Sequence, residues 1–119
     1  MANTFRVVTW AAEPNSAGTP YTIYTVPSST TTIIIGLIIS NLHSAAVTAE
    51  LELESDTSGG GRGANNGTSF LLKDVEIPVG SSLEVLSGGK IVLEATDVLK
   101  IDCSVADKTS GTLSIMEIT

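Results

Sequence analysis

The sequence alternates between apolar and polar residues with a period of two along most of its length, and the spacing of an amphipathic helix is almost absent. Successive side chains of a β-strand point to opposite faces, so this alternation predicts strands with one buried side. The predicted strands are Phe5–Trp10, Tyr21–Val26, Thr31–Leu42, Ala46–Glu54, Ser69–Ile77, Ser82–Leu86, Ile91–Glu94, Val98–Val105 and Thr112–Ile118.

Residues typical of turns separate these segments, among them Pro27-Ser28-Ser29, Gly88-Gly89 and Ser110-Gly111. Short strands punctuated in this way predict an all-β fold, an antiparallel β-sandwich of jelly-roll or Greek-key type with roughly eight strands. The hydrophobic fraction of 42% is mostly Ile, Val and Leu, which suits a sheet core. The length of 119 residues fits a single domain spanning residues 1–119.

Two predicted strands are apolar on both faces. In Thr31–Leu42, strict alternation places four residues on one face (Ile33, Ile35, Leu37 and Ile39) and two on the other (Ile34 and Ile38). In the last strand, Met116 and Ile118 oppose Leu113 and Ile115. Exposed aliphatic side chains on a flat strand favour aggregation, so either another segment of the chain or another subunit covers them. Ile34, Ile38, Met116 and Ile118 are therefore the candidate oligomer interface.

The residue inventory predicts no enzyme, no catalytic or metal-binding residues and no cofactor. His43 is the single histidine and lies in a turn-like context, between Asn41 and Ser44. Cys103 is the single cysteine and alternates with Leu99, Ile101 and Val105, so it is expected to be a small core residue. Gly59–Gly63 lacks the Gly-Lys-Ser/Thr ending of a phosphate-binding loop.

The formal net charge of −7 opposes binding to nucleic acid, because phosphate contacts require clustered Lys and Arg. The longest apolar run, Ile33–Ile39, is interrupted by Gly36 and is too short to cross a bilayer. No signal peptide is visible at the N-terminus. We expect a soluble protein that is made in a cytoplasm and has no contact with membranes.

Two segments fall outside the regular pattern. Residues 1–20 form a possible N-terminal arm, and Trp10 is a candidate partner contact, although a tryptophan in the core is an equal alternative. Residues 55–68 form a Gly-rich loop with the composition of a flexible connection. It is either a plain connector or a contact loop, and in the second case Arg62 is the candidate partner contact.

Four stretches resemble small all-β virion proteins of tailed bacteriophages: Tyr24–Leu37, Leu72–Val85, Gly89–Ile101 and Ile115–Ile118. The resemblance lies in the sequence of strands and turns, and it carries over no functional residues. It implies a structural protein of the virion that decorates or cements the capsid, or that belongs to the neck or tail.

The hypothesis that follows is a capsid decoration protein, located in the virion, that stabilises the head as a homo-oligomer. A trimer is favoured because capsid lattices offer three-fold positions, and the partners would be the major capsid protein or other virion proteins. The alternatives are a neck or tail accessory protein of the same fold and a glycan-binding adhesin module. The adhesin would need a platform built from Phe5, Trp10, Tyr21, Tyr24 or Phe70.

Overall fold

A computed structural model of the chain describes residues 2–56 and 67–119. It is built from strands, with no helix in the described residues and hence none there that could span a membrane. The nine strands are β1 (Asn3–Glu13), β2 (Tyr21–Thr25), β3 (Thr31–Asn41), β4 (Val47–Ser55), β5 (Gly67–Ile77), β6 (Ser82–Glu84), β7 (Ile91–Leu93), β8 (Val98–Cys103) and β9 (Thr109–Ile118).

The strands form two antiparallel sheets packed face to face. The first sheet has the order β1-β9-β3-β6, and β7 also pairs with β3; the second has the order β2-β8-β4-β5. The short strands β6 and β7 occupy one edge position in succession, β6 beside Ile38–Ser40 and β7 beside Thr32–Ile34. With that position counted once, the connectivity is that of an eight-stranded jelly roll. The predicted all-β sandwich is confirmed.

Strands β4 and β8 show how the alternating pattern produces the sandwich. Val47, Ala49 and Leu51 are buried on the inner side of β4, and Leu99, Ile101 and Cys103 are buried on that of β8. These side chains meet Ile34, Leu37, Ile39, Leu113 and Ile115 from the first sheet in one continuous core. Cys103 is a buried core residue, as its position in the alternation predicts.

Strand β3 contains a bulge that the alternation does not reveal. Its register against β9 shifts between Ile34 and Gly36, so two successive residues sit where one would continue the pleat. As a result Ile34 shares the inner face with Leu37 and is fully buried. The assignment of Ile34 to an uncovered face is wrong, because the bulge reverses the alternation halfway along the strand.

The N-terminal residues belong to the body of the fold. Asn3–Glu13 is not an arm: it pairs with β9 from the partners Asn3 and Ile118 onward and forms one edge of the first sheet. Trp10 is 5% exposed, and its indole Nε1–H donates a hydrogen bond of 3.2 Å to Thr109 Oγ1. The structure thus contradicts Trp10 as a partner contact and supports the alternative of a core tryptophan.

Candidate interaction surface

The outer face of the first sheet carries an apolar row that crosses four strands. Phe5 on β1 is the direct cross-strand partner of Met116 on β9, Met116 is the partner of Ile33 on β3, and Ile33 is the partner of Val92 on β7. Directly opposed residues have Cβ atoms about 5 Å apart, so these four side chains form one continuous band.

Further apolar side chains flank this band. Val7 lies beyond Phe5 on β1, Ile118 lies beyond Met116 on β9, and Ile35 and Ile38 lie on the outward side of β3. Phe5 is 72% exposed, Val7 65% and Val92 62%. Nothing in residues 2–56 and 67–119 covers these three side chains. Transfer of each such side chain out of water is worth roughly 1.5–3 kcal/mol.

The same face is uncharged over its three long strands, and we call it the neutral face. Its outward residues are Asn3, Phe5, Val7 and Thr9 on β1, Ser110, Thr112, Ser114, Met116 and Ile118 on β9, and Thr31, Ile33, Ile35, Gly36, Ile38 and Ser40 on β3, with Val92 of β7 beside them. A charged residue, Glu84 on β6, enters only at the rim, opposite Ile38.

The outer face of the second sheet is strongly charged. Lys73 Nζ lies 2.8 Å from Glu50 Oε1, and Lys100 Nζ lies 2.8 Å from Glu54 Oε1. Between these pairs, burial and then the charge of Glu50 raise the pKa of Glu52. The two faces therefore differ in kind: water is displaced at low cost from the neutral face, whereas the charged face must keep its ions solvated.

The neutral face includes three of the four residues predicted for an oligomer interface. Ile38 is exposed on it, and Met116 and Ile118 are half-buried on it, whereas Ile34 lies in the core. Arg62 lies outside the described residues, as does most of the predicted loop 55–68. The predicted oligomer interface did not include Phe5, although the alternation of Phe5 and Val7 along β1 places both side chains on one face.

A partly buried polar cluster ties β1 and β9 to the second sheet behind the neutral face. Glu117 on β9 accepts hydrogen bonds from Arg6 Nε at 2.6 Å and from the Tyr24 hydroxyl at 2.5 Å. The Tyr24 hydroxyl also lies 2.9 Å from Thr32 Oγ1. Burial, followed by the hydrogen bond to Glu117, raises the pKa of Tyr24 to about 12. The hydrogen bond from Tyr24 and the bond from Arg6 lower the pKa of Glu117.

Open clefts of about 330, 210 and 150 Å³ border the described residues. One of about 210 Å³ is bordered by Glu50, Asp74 and Asp102. Asp102 lies on the outward side of β8 but is covered there by the loop after β1, and its Oδ1 accepts bonds from the N–H groups of Gly18 and Cys103. No group of three or more His, Cys, Asp or Glu in residues 2–56 and 67–119 is placed to hold a metal ion.

The sequence matches no protein-family model and no curated protein. Three solved structures are similar at a TM-score of 0.48. A protein of Bacillus endospore appendages, described as disulfide-linked pili, is 16% identical over 99% of this chain and 87% of its own. The infectious bursal disease virus VP2 subviral particle is 14% identical over 94% of this chain, and a structure of the Gx strain of that virus is 16% identical over 95%. This chain spans 32% and 33% of those two virus chains. Likenesses this distant assign no function.

Proposed function

We propose that this chain is a structural protein of a tailed-bacteriophage virion, most specifically a capsid decoration or cement protein. Its activity would be adhesion between proteins, without chemistry at a catalytic site. The observation that carries the proposal is the neutral face, a broad uncharged sheet surface crossed by a continuous apolar band, on a protein whose net charge is −7. Monomeric soluble proteins rarely leave so continuous an apolar surface in water.

Adhesion through a sheet face suits a particle made of many copies. Each contact can be modest, since repetition over a lattice multiplies the weak contacts into a stable attachment. The long antiparallel strands β1, β3 and β9 carry the face and pair with one another along most of their length. In this account the protein acts as a homo-oligomer that contacts the major capsid protein or another virion protein. The tailed-phage virion is the setting implied by the sequence resemblance.

The placement of the aromatic residues does not favour a glycan-binding adhesin. Trp10 is buried and Tyr24 is engaged with Glu117. Phe5 lies on the first sheet, while Tyr21 and Phe70 lie on β2 and β5, the opposite edges of the second sheet. Stacking on a sugar requires aromatic rings that converge on one surface, and these rings do not converge.

The experiment is to locate the protein in purified virions by electron microscopy, with a small tag after Thr119, and to count copies per particle by mass spectrometry. Regular density on the head surface, with a copy number that matches the lattice, is the expected result. Density confined to the neck or tail would replace the decoration role with the accessory role. Absence from purified particles would overturn the proposal.

A further inference from the structure

We infer that the neutral face is occupied by the neutral face of a second copy, so that two chains pair face to face about a two-fold axis. The inference deepens the proposed function, and it rests on that function's premise that this surface is a contact between proteins. Neither the identity of the partner nor the two-fold symmetry follows from that premise.

The distribution of charge determines which surface two copies can share. Two chains that each carry a net charge of −7 repel one another. Approach through the second sheet would oppose Glu50, Glu52 and Glu54 of one chain to the same residues of the other. Approach through the neutral face keeps those carboxylates on the far sides of the pair and brings together only uncharged groups.

The symmetry follows from the presence of one such face. A head-to-tail ring would need a second apolar surface on each copy to receive the neutral face, and the outer side of the second sheet is charged. A surface that matches only itself forms an isologous contact, which closes as a two-fold pair. This differs from the trimer suggested by capsid lattices, so the oligomeric state distinguishes the two.

The neutral face is large enough to form a specific interface between two copies. The long strands span 10 or 11 residues, and the sheet is four strands wide. At about 3.3 Å per residue and 4.8 Å per strand, the face covers about 600 Å² on each copy. A pair would bury about 1,200 Å² in total, the lower end of the range for specific protein–protein interfaces.

Small residues beside the apolar band leave room for a second copy to approach the neutral face closely. Beside the band of Phe5, Met116 and Ile33 lies a row in which Ser114 is the partner of Gly36. Apart from Gly36 itself and its two chain neighbours, no residue has an atom within 4 Å of the position that a Cβ on Gly36 would occupy. This row lies about 7 Å from the band along the strands. Val7, the partner of Ser114 on β1, stands at one end of it, so the small residues that leave room for the band of the other copy are Ser114 and Gly36.

The experiment is a charge exchange at Ser114, near the middle of the face. The variants are Ser114→Lys and Ser114→Asp, with Thr22→Lys and Thr22→Asp as matched controls on the exposed side of β2. Sedimentation equilibrium measures the dimer dissociation constant. We expect a dimer for the wild type and for both controls, and a dissociation constant raised roughly a hundredfold or more in each Ser114 variant. An equimolar mixture of the two Ser114 variants should form a heterodimer.

Circular dichroism and the fluorescence of Trp10 establish that each variant is folded. A monomeric or trimeric wild type would overturn the inference, as would a dimer that neither Ser114 variant weakens. Incorporation into virions is scored separately. A dimer that is absent from virions would sink the proposed function and leave the pairing intact, whereas a monomer that decorates heads would do the reverse.

Discussion

At the scale of single residues, Gly111 is where the core admits no side chain. A Cβ at Gly111 would lie 2.1 Å from Trp10 Cη2, in the path of the indole. Gly111→Ala should therefore lower the free energy of unfolding by about 1–3 kcal/mol or more, because the buried indole of Trp10, which is hydrogen-bonded to Thr109, would have to shift. Urea denaturation, followed by the fluorescence of this single tryptophan, measures the loss.

Gly36→Ala is the matched control, since Gly36 lies on the neighbouring strand with open space where its Cβ would be. Its effect should be within about 0.5 kcal/mol. A double variant, Trp10→Leu with Gly111→Ala, should lose less than the sum of the two single changes, since the clash is shared. If the losses of unfolding free energy in the two single variants add up to the loss in the double variant, the side chains at these two positions do not clash.

Glu117 makes stability depend on acidity in a defined direction. Its folded pKa lies below its ordinary value of 4.5, so its ionised form is favoured in the folded chain. That stabilisation is present above the unfolded pKa and is lost as the pH falls through the folded pKa. At pH 6 the free energy of unfolding of the wild type should exceed that of Glu117→Gln by about 1–3 kcal/mol. This difference should shrink below about pH 4.5.

Tyr24 makes the stability of the fold depend on pH in the opposite direction, at high pH. Its folded pKa of about 12 exceeds the ordinary value of 10, so the neutral phenol is favoured in the folded chain. The resulting stability is complete below pH 10 and is lost as the pH rises toward 12. In a plot of unfolding free energy against pH, Tyr24→Phe should reduce the loss of stability both at acidic pH and at alkaline pH. Unchanged curvature at both ends would contradict the assignment.

At the scale of elements, the existence of the strands could be predicted from alternation, while the inside and outside of β3 could not. Each predicted segment overlaps one strand of the structure, because apolar alternation is a local property of the sequence. The bulge at Ile35 and Gly36 depends on how β3 is aligned against β9, which is not local. Three of the four interface residues were nevertheless correctly placed on the outer face, since Ile38, Met116 and Ile118 lie outside the part of the pattern that the bulge reverses.

The bulge makes a testable distinction between Ile34 and Ile38. Ile34→Ala removes a fully buried side chain and should cost about 2–5 kcal/mol of unfolding free energy. Ile38→Ala changes an exposed side chain and should cost less than about 1 kcal/mol when measured at low protein concentration. Equal losses of unfolding free energy in the two variants, or a larger loss in Ile38→Ala, would contradict the bulge and favour strict alternation along β3.

At the scale of the whole molecule, the jelly roll separates two surfaces of opposite character. The second sheet presents ion pairs to solvent, and the first presents an apolar band across β1, β9, β3 and β7. This separation could be predicted only in part. The position of Val92 beside Ile33 and of Phe5 beside Met116 depends on strand order and register, and residues so far apart in sequence show no sign of this proximity.

The central claim is that the neutral face becomes buried when the protein assembles. Hydroxyl-radical footprinting across a concentration series, with mass spectrometry to quantify oxidation at each side chain, tests it directly. Phe5 and Met116 should become protected as the concentration rises from micromolar toward millimolar, while Tyr21 and Phe70, exposed on the second sheet, should be oxidised equally throughout. Constant oxidation of Phe5 and Met116, or protection of Phe70 in their place, would contradict the account.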